Sequence, residues 1–370
     1  MDRDKIYDNF IEKNIDFTKK LYKTVYSEKE SLIKTEEHPM YNFGTMKRDG
    51  DISISPNIYL TNGNEFEKKL SEMNVNTLSE EDKKAHIVFD FLQEKGSDFS
   101  FEKNGNDVIF KNGGEDVTRK SFYAYAIYED ITSNTNYIAR HIGDMQLITL
   151  PNSVGKMPRG TETLSPETKR QIAEKNKENP ELLPQIFLKR GLYHEAVHVT
   201  MGTNDERKCD TFAMLKIMQE HPKEAELICE IYNHARSKSA YVIEELHNIK
   251  GNVQSYERSI KKGTMTYLMP NTYKKLKEIA KNPKILEGKS DTELMTETYN
   301  LTKNYEFNDK QLKDFDKLLK KENISKNDLE NSEIMQALVE QSGSKNFDEY
   351  LDKDPRLQSF LKSQKKKNEN

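Results

Sequence analysis

From about residue 165 onward, nearly every stretch of this chain repeats its apolar residues at helical spacing, with breaks near Pro222, Gly251, Gly263, Pro270, Pro283 and Gly288. Such a pattern buries its apolar stripes only by packing helix on helix. The first half is less uniform. Ile6, Phe10, Ile15, Phe17, Leu21 and Val25 predict a long surface helix, whereas His38-Pro39, Asp49-Gly50, Ser55-Pro56 and Asn62-Gly63 break the next stretch around a short strand at Ile58-Tyr59-Leu60. Ser79-Glu80-Glu81-Asp82 reads as the capped, acidic start of a helix running to Lys95-Gly96.

The period then changes. Phe99 and Phe101 alternate with polar residues, Asn104-Gly105-Asn106 supplies turn chemistry, and Val108, Ile109 and Phe110 follow, which predicts a hairpin. A helix is expected over about 117–140, and Met145 to Leu150 reads as a strand halted by Pro151. These patterns predict an α+β fold that is mainly helical. The expected organisation is a mixed region over 1–115, a core over 116–284, a charged helical region over 285–360 and a disordered tail over 361–370.

Composition narrows the classes of partner. A third of the 370 residues are charged and the formal net charge is only -4, so no overall electrostatic reason exists to expect nucleic acid. Lys365 to Lys367 form a local basic cluster, read as part of the tail. Cys209 and Cys229 lack the CxxC spacing of a thiolate site or the density of a disulfide framework, which points to a reducing compartment. The charged start Met-Asp-Arg-Asp-Lys carries no apolar leader, and no apolar run of about 18 residues occurs. A cytoplasmic chain without a membrane partner is expected, and export by a route without a cleaved signal stays open.

The chemistry concentrates in one segment. Residues 182 to 202 form a strong helix candidate, with Pro184 in its first turn and Gly202 at its end. His194 and His198 stand four apart and so share one face, the spacing at which two imidazoles bind one Zn²⁺, while Glu195 projects beside them as a candidate general base. With 8 His in the chain, chance produces an HExxH in roughly two such sequences per hundred. The motif therefore needs support from its surroundings.

Beyond Gly202 a second helix begins, and Glu206, Asp210, Ala213 and Ile217 fall on one face of it. Two carboxylates extending an apolar stripe are costly to bury without a compensating positive group, which a metal would supply. Glu206 is the preferred third ligand and Asp210 a carboxylate that orients a ligand histidine. Thr203-Asn204-Asp205-Glu206 also fits a capping box in which Glu206 only satisfies a backbone N–H, and Asp205 is the next ligand candidate. His234, Arg236, Tyr241 and Tyr193 are possible transition-state donors, none with a diagnostic spacing, and His141 reads as a helix C-terminal histidine.

These residues resemble a known group. His194-Glu195-Ala196-Val197-His198 followed by Glu206-Arg207-Lys208-Cys209-Asp210-Thr211-Phe212-Ala213 looks like the gluzincin pattern, HExxH and then E-x-x-A-D-x-x-A, as in the ImmA/IrrE-like peptidases. About twenty residues carry the match. Cys209 stands where the pattern has alanine, and the seven residues between His198 and Glu206 are fewer than usual.

The resemblance implies a zinc metallopeptidase with one Zn²⁺ per chain held by His194, His198 and Glu206, Glu195 as base, and a protein or peptide substrate. It also implies a zincin-like core whose edge strand, at Met145 to Leu150, pairs with that substrate. Gly202-Thr203-Asn204-Asp205 resembles the GTxD element of aspzincins, which would move the third ligand to Asp205 and suit a delivered effector or toxin protease. The alternative from another class is a non-catalytic helical interaction protein with a structural or vestigial metal site.

Overall fold

The computed structural model describes residues 57–62, 64–73, 78–94, 100–104, 107–112, 115–117, 128–129, 132, 138–142, 145–150, 164–201, 205–237 and 269–368. The helix expected over residues 2–34 and most of the loop region after it lie outside these, as does Tyr241. The chain divides into two compact units, one of residues 1–156 and 188–203, the other of 157–187 and 204–370.

The first unit contains strand β1 (Asn57–Asn62), helices α1 (Asn64–Glu72) and α2 (Glu80–Glu94), and strands β2 (Ser100–Asn104), β3 (Asp107–Asn112), β4 (Glu115–Val117), β5 (Ile138–Ile142) and β6 (Met145–Leu150). Ser79 caps α2, its hydroxyl accepting from the Asp82 amide at 3.1 Å. Behind it Ala85, Ile87, Val88, Phe89 and Phe91 are buried, and Phe66 of α1 sets its ring 5.0 Å from Phe91 and 6.2 Å from Tyr128.

The strands pair in two three-stranded sheets, β1-β6-β5 and β2-β3-β4. Met145–Leu150 is therefore a central strand, parallel to β1 and antiparallel to β5. The expectation of a substrate-pairing edge is corrected, because neighbours on both sides already use its backbone groups. Of the helix expected over about 117–140, the two ends fall in β4 and β5, Tyr128 and Glu129 are helical, and most of the rest lies outside the described residues. His141 lies in β5 opposite Gln146 rather than at a helix C-terminus.

In the second unit α3 (Pro166–Glu178) is followed by α4 (Leu182–Met201), whose later turns belong to the first unit, and by α5 (Glu206–Glu220) and α6 (Ala225–Ser237). After them come α7 (Pro270–Lys281), a 3₁₀ turn (Pro283–Leu286), α8 (Asp291–Thr302), α9 (Asp309–Leu319), α10 (Lys326–Glu330), α11 (Glu333–Gln341), α12 (Phe347–Asp352) and α13 (Pro355–Asn368). Helix α5 packs on α8 and on α7, and α7 packs on α6 and α11. Past residue 306, Phe307, Leu312, Phe315, Ile324, Leu329, Met335, Leu338, Tyr350 and Leu357 close a C-terminal cluster. The expected tail over 361–370 begins inside α13, whose backbone stays helical through Asn368, as its run of Lys and Gln residues favours.

The fold class itself is corrected. The core side chains that are described come from helices and the links between them. Among the described side chains the packing is thus helix on helix, where an α+β zincin-like core on a small sheet was expected. Short apolar runs announce extended backbone but do not say whether a sheet or a helix carries the packing. Among the described residues, no helix is long and apolar enough to cross a membrane.

Capping supplies stability that titrates. Ser325 and Asp328 form a capping box at the start of α10. A hydrogen bond from the Lys321 ammonium, with further ones from the Ser325 hydroxyl and amide, holds the Asp328 carboxyl down to about 2. A carboxyl depressed on folding stabilises above its unfolded value, near 3.8, and that stabilisation is lost as pH falls through the folded value. Urea melts between about pH 4 and pH 2 should show Asp328→Asn with a flatter acid limb than the parent. Parallel limbs would show that this box does not contribute.

Candidate metal centre

Helix α4 is apolar on every side: Ile186, Phe187, Leu188, Leu192, Tyr193, Ala196 and Val197 are all buried. A helix of this kind belongs in a core rather than on a surface. Within it His194 is 4 % exposed and Glu195 7 % exposed, while His198 is half-buried. Enclosure of a histidine and a glutamate on such a helix is the arrangement that needs explaining, because both are costly to bury without partners.

The two imidazoles meet each other. Their rings lie 4.9 Å apart at 71°, with Nε2 of His198 3.2 Å from Nε2 of His194. Two nitrogens bound to one tetrahedral zinc at about 2.0–2.1 Å stand roughly 3.3 Å apart, so this separation suits a shared ion. It also suits a hydrogen bond in which one imidazole donates to the other. The Glu195 carboxylate lies 4.0 Å from Nε2 of His194.

Cys209 of α5 is fully buried. Burial pushes the Cys229 thiol up to about 12, which keeps it protonated.

The carboxylates singled out in the sequence take other places. Glu206 is the half-buried first residue of α5. Asp205 is the N-cap residue, 7 % exposed, and its side chain makes no capping hydrogen bond, while Thr203 of the expected capping box lies outside the described residues. Lys208 stands 3.9 Å from Asp205. Burial lowers the Lys208 ammonium below its usual value, while the Asp205 carboxylate pulls it upward.

Asp210, fully buried, faces Arg236: Nε donates to Oδ2 at 2.8 Å and Nη2 to Oδ1 at 2.9 Å, with the Tyr273 hydroxyl 3.5 Å away. The compensating positive group expected for Asp210 is thus a guanidinium. Arg236, named among the donors, is tied to this pair, while His234 and Tyr193 are buried at 5 % and 2 % exposure.

No protein-family model, curated protein or solved structure matches this chain.

Proposed function

We propose that this chain is a zinc-dependent metallopeptidase acting on a protein substrate, with His194 and His198 as two of its zinc ligands and Glu195 as general base. The observation that carries the reading is the pair of Nε2 atoms 3.2 Å apart with the Glu195 carboxylate beside them on one enclosed helix. The donor chemistry fits, since neutral imidazoles bind zinc and their four-residue spacing needs no distortion of α4.

A zinc held by His194 and His198 would supply Lewis acidity. Glu195 would take a proton from the attacking water and return it to the leaving amine. Its enclosure keeps bulk water from competing and strengthens each electrostatic contact. His198 is half-buried and so the more accessible of the two imidazoles.

One observation favours a second reading, a non-catalytic helical protein with a structural metal: His194 is buried, as the ligands of closed structural zinc sites are. Metal analysis tests what both readings share. Protein purified without chelator is expected to carry about one zinc per chain, and a 100-fold excess of zinc over Kd should stabilise apoprotein by about 2.7 kcal/mol. His194→Ala and His198→Ala should each abolish both signals. No zinc in the parent protein, with no thermal shift on adding it, overturns the reading.

A further inference from the structure

We infer that residues 307–364 are a helical module with its own core that undocks as one body from the helices before it, latched there by Tyr350 and Gln341. The inference goes beyond the metal-binding function proposed above and does not depend on it, since every group it uses lies in the second unit. Phe307, Leu312, Phe315, Leu318, Met335 and Leu338 belong to one apolar cluster whose members all lie at 307 or beyond. A cluster closed within one stretch of chain keeps its contacts when that stretch moves as a body. The boundary is sharp. Glu306 turns its carboxylate back to Arg207, Asn271 and Thr272, whereas Asn308, two residues on, caps α9 by accepting from the Gln311 amide at 3.0 Å. The pivot therefore falls at Phe307, between an anchor and a cap.

Two side chains of the module reach back to backbone groups of the helices it docks on. The Tyr350 hydroxyl of α12 donates at 2.6 Å to the carbonyl of Ser237, the last residue of α6. The Gln341 side-chain oxygen of α11 accepts at 3.2 Å from the amide of Met269, the N-cap residue of α7. All four residues are buried, so water does not replace a partner while the module is docked. Burial also raises the Tyr350 phenol well above its ordinary value, which keeps it a donor. Helix α11 packs on α6 and α7 between these two points. Departure of the module must break both bonds together, and it releases the end of α6 that carries Arg236, the partner of Asp210.

Native-state hydrogen exchange of the full chain at low urea reads this opening. The Met269 amide is expected to exchange through a smaller opening than the Phe315 and Leu318 amides of α9, with a weaker dependence on urea, because undocking exposes less surface than unfolding the module. Tyr350→Phe removes the latch at the other end of the docking surface. It should speed exchange at Met269 by about 10-fold, the effect of one lost buried hydrogen bond, and leave the gap between Met269 and Phe315 unchanged.

Equal protection and equal urea dependence at Met269 and Phe315 in the parent protein would overturn the inference, since the module would then unfold rather than undock. That comparison involves no substitution. Unchanged exchange at Met269 in Tyr350→Phe would also overturn it, because the two contacts would then open independently. Neither result bears on zinc content, so the metal-binding reading stands or falls separately.

Discussion

Glu195→Gln should keep about one zinc per chain and lose hydrolysis by about 10²–10⁴-fold, the contribution of a positioned general base. Glutamine preserves the size and polarity of the buried side chain but cannot take a proton. Because Glu195 is only 7 % exposed, a shorter replacement would add a cavity and confuse loss of chemistry with loss of structure. The readouts are metal content, melting temperature and cleavage of protein substrates, measured together. Retained cleavage in a zinc-loaded variant would remove Glu195 from the mechanism. Retained zinc with unchanged stability and no activity in either protein would favour the structural-metal reading.

The second large effect concerns the frame behind α5. Arg207, 1 % exposed, donates to the carbonyl of Asn304 at 2.6 Å, to that of Thr302 and to the Glu306 carboxylate at 3.2 Å. Glu306 in turn accepts from the Asn271 amide at 2.9 Å and from the Thr272 hydroxyl. One buried ion pair thus joins the first turn of α5, the start of α7 and the link after α8. Glu306→Ala leaves the guanidinium in low dielectric without its counter-charge and should cost about 3–5 kcal/mol. Urea denaturation measures it, and a loss below about 1 kcal/mol would show that water replaces the carboxylate. Combining Glu306→Ala with Arg207→Met should recover part of the loss, since the uncompensated charge is then gone.

Legibility in the sequence followed locality. The starts of α2 at Ser79 and of α5 near Asp205, and the extent of α4, were readable because caps and helical period act within a few residues. Met145–Leu150 announced its extended backbone and not its place in the sheet, because strand order depends on partners such as Asn57–Asn62, far away in the chain. The α+β class failed for a related reason: the described packing resides in helices, and short apolar runs do not declare which element will bear the core.

By itself the sequence determined that His194, Glu195 and His198 occupy one stretch of helix, since a period of about 3.6 residues puts positions four apart on the same face. Only the tertiary structure decided what surrounds them. Asp210, expected beside the ligand histidines, meets Arg236 across 26 residues of chain, and Arg207 meets Glu306 across 99. Helical periodicity assigns a residue to a face of its own helix. The group that meets that face is set by packing between elements, to which a local pattern is blind.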